Sequence, residues 1–334
     1  MRLTLSSEQS DFATAVASLL ADADVPAAVR AWARGDHAPG LALWRRLAEV
    51  GVTALAIPEE YDGLGASPVE VVVAFEELGR YAVPGPLVES LVAVPALLGG
   101  AARSTRSEPA ARWLPGIAAG KTVATLALPP HVPYALDAEV ADPVLIANQD
   151  GVRLARVGAA HSSIDRSRRL YEVTGGVAGE GGTGRVSGEA GPGGRVLDAG
   201  ALACAAQLLG LGGALRDAAV SYAKQRHQFG RPIGAFQAVK HQLADVHVGL
   251  ELARPLVYGA AVTGAPRDIS AAKVAAGEAA YRAARVALQV HGAIGYTAEH
   301  DLSLWLTKVR ALRSAWGTPR HHRARILEGS HADR

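Results

Sequence analysis

The chain has 334 residues, of which 49% are hydrophobic and 20% charged, and its formal net charge is +2. This length is too much for one simple core and suits two or three domains, while the small net charge gives no support to nucleic-acid binding. No uninterrupted apolar run of about 18 residues is present, and the start of the chain has no apolar signal core. We therefore expect no membrane span and a cytoplasmic protein.

Residues 1–115 are predicted to form a helical domain. Ser7, followed closely by two acids, is typical of a helix start, and apolar residues follow it at helical spacing. A second apolar stripe begins at Trp44. A third helix is predicted over 67–81, before a Pro-Gly-Pro turn at 84–86.

Residues 116–197 are predicted to form a small β domain. Short strand-like runs, separated by turn-forming residues, lie at 122–128, 144–147, 152–157 and 170–173. Half of the residues from 175 to 194 are glycine, so we expect a mobile loop or a loosely held hairpin there. A G-x-G-x-x-G pattern inside this tract lacks the strand before it and the helix after it that a dinucleotide site needs. We interpret it as a chance match.

Residues 198–334 are predicted to form an antiparallel four-helix bundle. The first helix ends near Gln225, the second begins near Phe236, and further helices are expected over 269–291 and 302–328. The expected fold is therefore mainly α with a small β domain between two helical regions.

Some conspicuous residues in this last region carry no predicted chemistry. Cys204, the only cysteine, lies among alanines and leucines and is predicted to be an inert buried thiol. Two histidine pairs lack the helical spacing and adjacent Glu of a zinc site, so they are predicted to be satisfied or exposed. An arginine cluster near the end is predicted to be a solvated helix face. These residues are His241 and His247, His321 and His322, and Arg320, Arg323 and Arg325.

The turn between the first two bundle helices gathers polar and aromatic residues. Arg226, Gln228 and Gln237 are predicted to converge on it, beside Phe229. A plain helical hairpin, in which the polar groups only cap helix ends, is the alternative interpretation. Farther along, two glycines interrupt the alanine-rich helix after Gln289, where the chain could approach a ligand closely.

These two segments resemble the C-terminal signature of the acyl-CoA dehydrogenase family. The family pattern R-x-x-F-G-x-x-[IL]-x-x-[FH]-Q matches from Arg226 to Gln237, and Q-x-x-G-[GA]-x-G-[YF] matches from Gln289 to Tyr296. The first domain is similar to that of the family at 44–51, 57–65 and 75–79. The resemblance covers about 7–98 and 200–328, and it implies a helical domain, a middle β domain and a four-helix bundle.

The resemblance implies FAD bound at a dimer interface and held by both protomers. Arg226 would contact the phosphates, since a guanidinium is always charged and forks onto oxyanions. Gln228 and Phe229 would line the ADP part. The remaining positions assigned to the cofactor are Gln237, Gln289, Gly292, Ala293, which replaces a usual Gly, and Thr318.

The family's catalytic base is missing at both positions where members carry it. The reaction removes the α proton of an acyl-CoA to a Glu and transfers the β hydrogen as hydride to the flavin. Trp316 stands at the usual Glu position, before Gly-Thr, and Gly200 at the alternative position. Asp198 is a weak candidate base, and a surface Asp capping the helix is the favoured interpretation.

Other family elements are also replaced. The Thr-Glu-Pro-x-Ala-Gly-Ser-Asp-like stretch that holds the flavin ring reads differently at 125–130, and Ala201 replaces an Arg that helps to position CoA. We therefore hypothesise a non-catalytic subunit, resembling the short subunits of actinobacterial steroid side-chain dehydrogenases. A longer homologous subunit would supply the base and bind most of the acyl-CoA in an α2β2 assembly, with electron-transfer flavoprotein as acceptor.

Two alternatives remain open at the level of the sequence. One is a self-sufficient homo-oligomeric enzyme with an unusual base, Asp198 or Glu299. The other is a flavin-free scaffold protein that keeps only the fold.

Overall fold

A computed structural model describes residues 4–99, 108–148, 151–175, 192–297 and 300–332. Within these residues the chain is mainly helical with a small β region, as predicted, and a separate two-stranded hairpin lies in the C-terminal part. Most of the glycine-rich tract, its G-x-G-x-x-G pattern and Glu299 lie outside the described residues.

The N-terminal region is helical throughout. Its helices are α1 Ser7–Ala21, α2 Val25–Ala33, α3 Ala38–Glu49, α4 Pro68–Arg80, α5 Val94–Gly99 and α6 Glu108–Ala118. Helix α1 begins at Ser7, as predicted, and its cap is Ser6, which forms a reciprocal capping box with Gln9. The sequence did not predict α2, α5 or α6, which have only 9, 6 and 11 residues. A π-helical turn, Glu89–Ala93, leads into α5.

The middle region contains a five-stranded sheet. Its strands are β1 Thr125–Ala127, β2 Ala135–Leu136, β3 Val144–Asn148, β4 Gly151–Ser162 and β5 Arg169–Gly175, in the order β1-β3-β4-β5-β2. β1 and β3 are parallel and the other pairs are antiparallel. The four predicted runs are confirmed as strands; β2 was missed because two residues carry no readable alternation.

The C-terminal region is the helix bundle, with one correction. Its helices are α7 Pro192–Gln225, α8 Gln237–Thr263, α9 Pro266–His291, α10 Leu302–Ser314 and α11 Pro319–Ala332. The single helix predicted over 302–328 is wrong. Trp316 and Gly317 both adopt positive φ, 57° and 99°, and Pro319 follows, so the chain breaks between α10 and α11.

The domain boundaries at 115 and 197 stay predictions, and both fall within helices, α6 and α7. The long helix α7 is the centre of the core. A Cβ on Gly79 of α4 would lie 2.1 Å from the carbonyl oxygen of Gln207, and one on Gly210 would lie 1.8 Å from that of Glu76. Glycine at both positions therefore lets the backbones of α4 and α7 touch. Helix α7 has the length and apolarity of a membrane span. However, 94% of its apolar 18-residue stretch is buried inside the protein, as in a core helix.

Candidate functional site

The turn after α7 is a small hairpin that presents an aromatic ring outward. Strands β6 His227–Gln228 and β7 Arg231–Pro232 pair, and the two residues between them, Phe229 and Gly230, have φ of 53° and 77°. Positive φ at both central positions defines the tight turn that hairpins favour, but it is strained for a residue as bulky as Phe. Phe229 is nevertheless 91% exposed. The hairpin thus presents an exposed aromatic ring, which contacts the Phe236 ring edge to face at 6.1 Å between centroids.

The polar side chains of the same turn are also free. Backbone groups close the turn: the N–H of Arg226 donates to the carbonyl of Tyr222 at 2.9 Å, and Ile233 N donates to the Arg226 carbonyl at 2.8 Å. Among the described residues, the exposed side chains of Arg226, Gln228 and Gln237 have no hydrogen-bond or ion-pair partner. The helix-capping alternative therefore finds no support at these three residues.

The second signature segment meets the first at the same end of the bundle. The ring of Tyr222, one turn before Arg226, stacks on that of His291 at 4.4 Å, and α9 ends at His291. Gly292 then turns the chain with φ of 63°, and a Cβ there would meet nothing within 4 Å. Ala293 is exposed. The two motifs are therefore neighbours in space, although more than 50 residues separate them in the sequence.

A cationic groove of about 850 Å³ opens beside Gln289 and Gly292. This volume lies within the ~300–1,000 Å³ typical of ligand sites. Three arginines, Arg282, Arg285 and Arg313, and one acid, Glu278, line the groove, so its lining is cationic on balance, although Arg282 also pairs with Asp245. Arg226, Gln228 and Phe229 do not line it; they lie at the hairpin.

The two positions where a base was sought form one steric unit. The indole of Trp316, which is 1% exposed, lies directly over Gly200: a Cβ on Gly200 would be 2.1 Å from its Cε3. Its Nε1–H donates to Oε1 of Glu89 at 3.3 Å. Because the indole occupies all the space above Gly200, the Trp at one position requires the Gly at the other.

Glu89 is a candidate site residue that the sequence reasoning missed. It is 3% exposed, begins the π-helical turn before α5, and lines a cavity of about 210 Å³ together with Trp316 and Arg168. Burial raises the pKa of its carboxyl, and the positive charges of Arg168 and Lys308 oppose this rise. A single acid in the apolar run 87–98 was the available signal, and π-helical turns often occur at functional sites.

Asp198 has a different role from the one predicted. It is 7% exposed, lies inside α7 and accepts a hydrogen bond from Arg325 Nη1 at 2.7 Å, so it is not a surface cap. Arg325 is itself 8% exposed, which corrects the prediction of a solvated arginine face at this position. The Asp198 carboxylate is committed to this buried ion pair.

The other singled-out residues make local contacts. Thr318 Oγ1 accepts from His321 N at 3.2 Å, at the start of α11. His322 is buried and hydrogen-bonded at both ring nitrogens. Burial raises the pKa of the Cys204 thiol. Within the described ranges, no cluster of three His, Cys, Asp or Glu residues could hold a metal ion.

The comparisons with known proteins agree with this architecture. Family models for the acyl-CoA dehydrogenase N-terminal and C-terminal domains match residues 6–121 and 194–331. Acyl-CoA dehydrogenase IpdE2 of Mycobacterium tuberculosis is 35% identical over 91% of this chain and 92% of its own length. The fold is shared with the Tcur3481-Tcur3483 steroid ACAD (TM-score 0.81, 23% identity, covering 99% of this chain and 100% of that chain). It is also shared with the ChsE4-ChsE5 complex from Mycobacterium tuberculosis (TM-score 0.80, 23% identity, covering 98% of each chain).

The chain therefore belongs to the acyl-CoA dehydrogenase family, whose members are FAD-dependent oxidoreductases. Exposed residues within the described ranges fit part of this cofactor. The free guanidinium of Arg226, the exposed Phe229 and the cationic groove beside Gln289 suit the charged ADP half. At the position of the base, the space is filled by Trp316.

Proposed function

We propose that the chain is the non-catalytic subunit of a heteromeric FAD-dependent acyl-CoA dehydrogenase. It would lend Arg226, Gln228 and Gln289 to the ADP half of an FAD whose ring and catalytic base belong to a longer homologous subunit. The observation that carries the proposal is the contrast between those exposed side chains and Trp316, which is buried on Gly200 where a base would have to stand.

In this proposal the residues of this chain bind and orient, and none of them moves a proton. FAD, when bound, accepts the hydride from the β carbon. Arg226 would fork onto phosphate oxygens, which favours a guanidinium over an ammonium. Phe229, already held in its outward position, would lie against the ADP part without first losing the freedom of a mobile loop. Thr318 and Gln237 keep their predicted cofactor assignment.

Helix α8, which follows the hairpin, offers a surface for a partner. Val248, Leu252 and Leu256 follow one face of α8 at intervals of four residues and are 54%, 67% and 46% exposed. An apolar stripe of this kind on a helix is typical of an interface rather than of a free surface. The partner we propose is the longer homologous subunit in an α2β2 tetramer. Two of the fold neighbours, Tcur3481-Tcur3483 and the ChsE4-ChsE5 complex, each combine two named proteins, which supports such pairing.

The proposed substrate is an acyl-CoA with a steroid side chain, bound mainly by the partner. The Tcur3481-Tcur3483 neighbour is described as a steroid ACAD, which supports this choice. Electron-transfer flavoprotein is the proposed electron acceptor.

Purification of the chain alone and with its coexpressed partner tests the proposal. We expect no bound flavin and no acyl-CoA oxidation from the chain alone, and a yellow, active complex from the pair. A chain that purifies alone with stoichiometric flavin and oxidises an acyl-CoA would refute the non-catalytic role.

A self-sufficient enzyme is the second candidate, because Glu89 gives it a specific carboxyl. This group is buried beside the position of the base, and burial raises its pKa, as a general base requires. However, its Oε1 accepts the indole N–H of Trp316, and the adjoining cavity of about 210 Å³ is smaller than ordinary ligand sites. A Glu89→Gln variant distinguishes the two candidate functions. Acyl-CoA oxidation should be abolished if Glu89 is the base, and it should persist in the complex if the partner supplies the base.

A further inference from the structure

Trp316 is held in place from its backbone as well as from its ring. Its carbonyl oxygen accepts a hydrogen bond from His322 Nε2 at 2.9 Å. Because the carbonyl can only accept, Nε2 carries the proton, and Nδ1 of the neutral ring is left to accept from Ser270 Oγ at 3.2 Å. Arg325 Nη1 donates to the same Ser270 Oγ at 3.2 Å.

These bonds form a buried relay across four helical segments. It runs from Glu89 through Trp316 and His322 to Ser270, and then through Arg325 to Asp198; all these residues are at most 8% exposed. A core tryptophan needs only apolar neighbours and one acceptor for its N–H. The additional hydrogen bond from His322 to the Trp316 carbonyl, supported by Ser270 and Arg325, holds the backbone of Trp316 so that its indole stays over Gly200.

The fixed indole stands next to unfilled space. Besides the 210 Å³ cavity at Glu89, a mainly apolar cavity of about 400 Å³ lies between α4, α5, α7 and the α8–α9 turn. Val92 and Ala96 line the larger cavity, and they follow Glu89 at intervals of three and four residues. Asp198 and Ala199, the two residues before Gly200, also line the larger cavity, and Trp316 itself lines the smaller one. The contact between the indole and Gly200 therefore adjoins both cavities.

We infer that Trp316 is a plug that closes this chain's own acyl-binding space, and that Gly200 is its seat. The inference rests on the proposed function and extends it. The chain has not only lost its base; it also excludes acyl-CoA from its half of the assembly, so that substrate goes to the partner's site.

The test is octanoyl-CoA binding to the purified chain by isothermal titration calorimetry. We expect no measurable binding by the wild type and a gain in affinity of at least about tenfold in Trp316→Ala. The matched control is Trp44→Ala, which removes an equally buried indole, 3% exposed, from the N-terminal core. Trp316→Phe, which keeps a ring over Gly200, should remain closed.

Circular dichroism shows which variants are folded, and only folded variants are compared by calorimetry. If Trp316→Ala does not fold, Trp316→Leu takes its place. Folded variants without gained affinity, or an equal gain in Trp44→Ala, overturn the plug. Failure of both Trp316 variants to fold also overturns it, since Trp316 would then be an ordinary core residue. Wild type that binds and oxidises octanoyl-CoA refutes the proposed function instead, so the two failures are distinguishable.

Discussion

The polar side chains at the two ends of the bundle differ in exposure and in hydrogen bonding. At the hairpin end, Arg226, Gln228 and Gln237 are exposed and unpartnered among the described residues, and Phe229 is 91% exposed. At the other end, around Trp316, the polar side chains are buried and linked by hydrogen bonds. Isolated polar groups gain nothing for stability by remaining free, whereas a satisfied buried network fixes one structure. The difference indicates that one end is kept for binding and the other is closed.

The closed end should be the more costly to disturb, beginning with its ion pair. Removal of Asp198 leaves Arg325 charged and buried, so Asp198→Ala should lower the free energy of unfolding by about 3–5 kcal/mol. The matched control is the Arg282–Asp245 pair, with the same 2.7 Å distance but side chains 57% and 59% exposed. Asp245→Ala should cost about 0–1 kcal/mol in the same urea titration. Equal losses would mean that burial of the Asp198 pair does not matter.

The contact between Trp316 and Gly200 predicts strong coupling between two substitutions. Gly200→Ala should destabilise by about 1–3 kcal/mol, because its methyl has no room beside the indole. On a Trp316→Ala background the same change should cost much less, which gives a coupling of about 0.5–3 kcal/mol.

Gly249→Ala is the control for this cycle. Gly249 is also helical, but a Cβ there meets nothing within 4 Å, so the change should be neutral or stabilising by up to about 1 kcal/mol. Additive effects of the Gly200 and Trp316 substitutions would contradict the seat assigned to Gly200.

The relay also predicts a pH dependence. Burial lowers the pKa of His322 to about 3 from its usual 6.5. Between these values the unfolded chain binds a proton that the folded chain does not, so acid favours unfolding by up to about 1.4 kcal/mol per pH unit. The advantage in unfolding free energy of wild type over His322→Gln should therefore shrink as the pH falls from 6.5 towards 3.

Comparison with the variant is needed because other buried groups act in the opposite direction. Burial raises the pKa of Asp137 to about 7 and also raises that of Glu89. The contribution of these two carboxyls to the free energy of unfolding therefore falls as the pH rises. Their contribution cancels in the difference between wild type and variant. A difference that stays constant with pH would contradict a neutral, buried His322.

The open end should show the smallest effect on stability. Arg226→Ala should change the free energy of unfolding by no more than about 0.5 kcal/mol, because its side chain has no partner within the described residues. The same variant should lower the FAD content of the complex with the partner. Arg267→Ala, an exposed arginine at the start of α9, is the control for loss of surface charge. Unchanged FAD content would show that Arg226 does not contact the phosphates.

The sequence predicted what depends on local pattern. The strand runs and the long helices α7, α8 and α9 follow from periodicity, and the family follows from short motifs of about five to twelve residues each. Trp316 and Gly200 were recognised only as missing bases, because their contact joins positions more than 100 residues apart. The burial of Asp198 and Arg325 was missed for the same reason: a charged residue is read as exposed unless its distant partner is known.

The stoichiometry of FAD in the purified complex tests the division between the two ends most directly. The account predicts a single FAD for each pair of unlike chains, because Trp316 closes the site in this chain while its hairpin end serves the site of the partner. Flavin absorbance compared with the protein concentration of the complex gives this ratio. A second FAD in each pair would contradict the account, because this chain would then hold a complete cofactor site of its own.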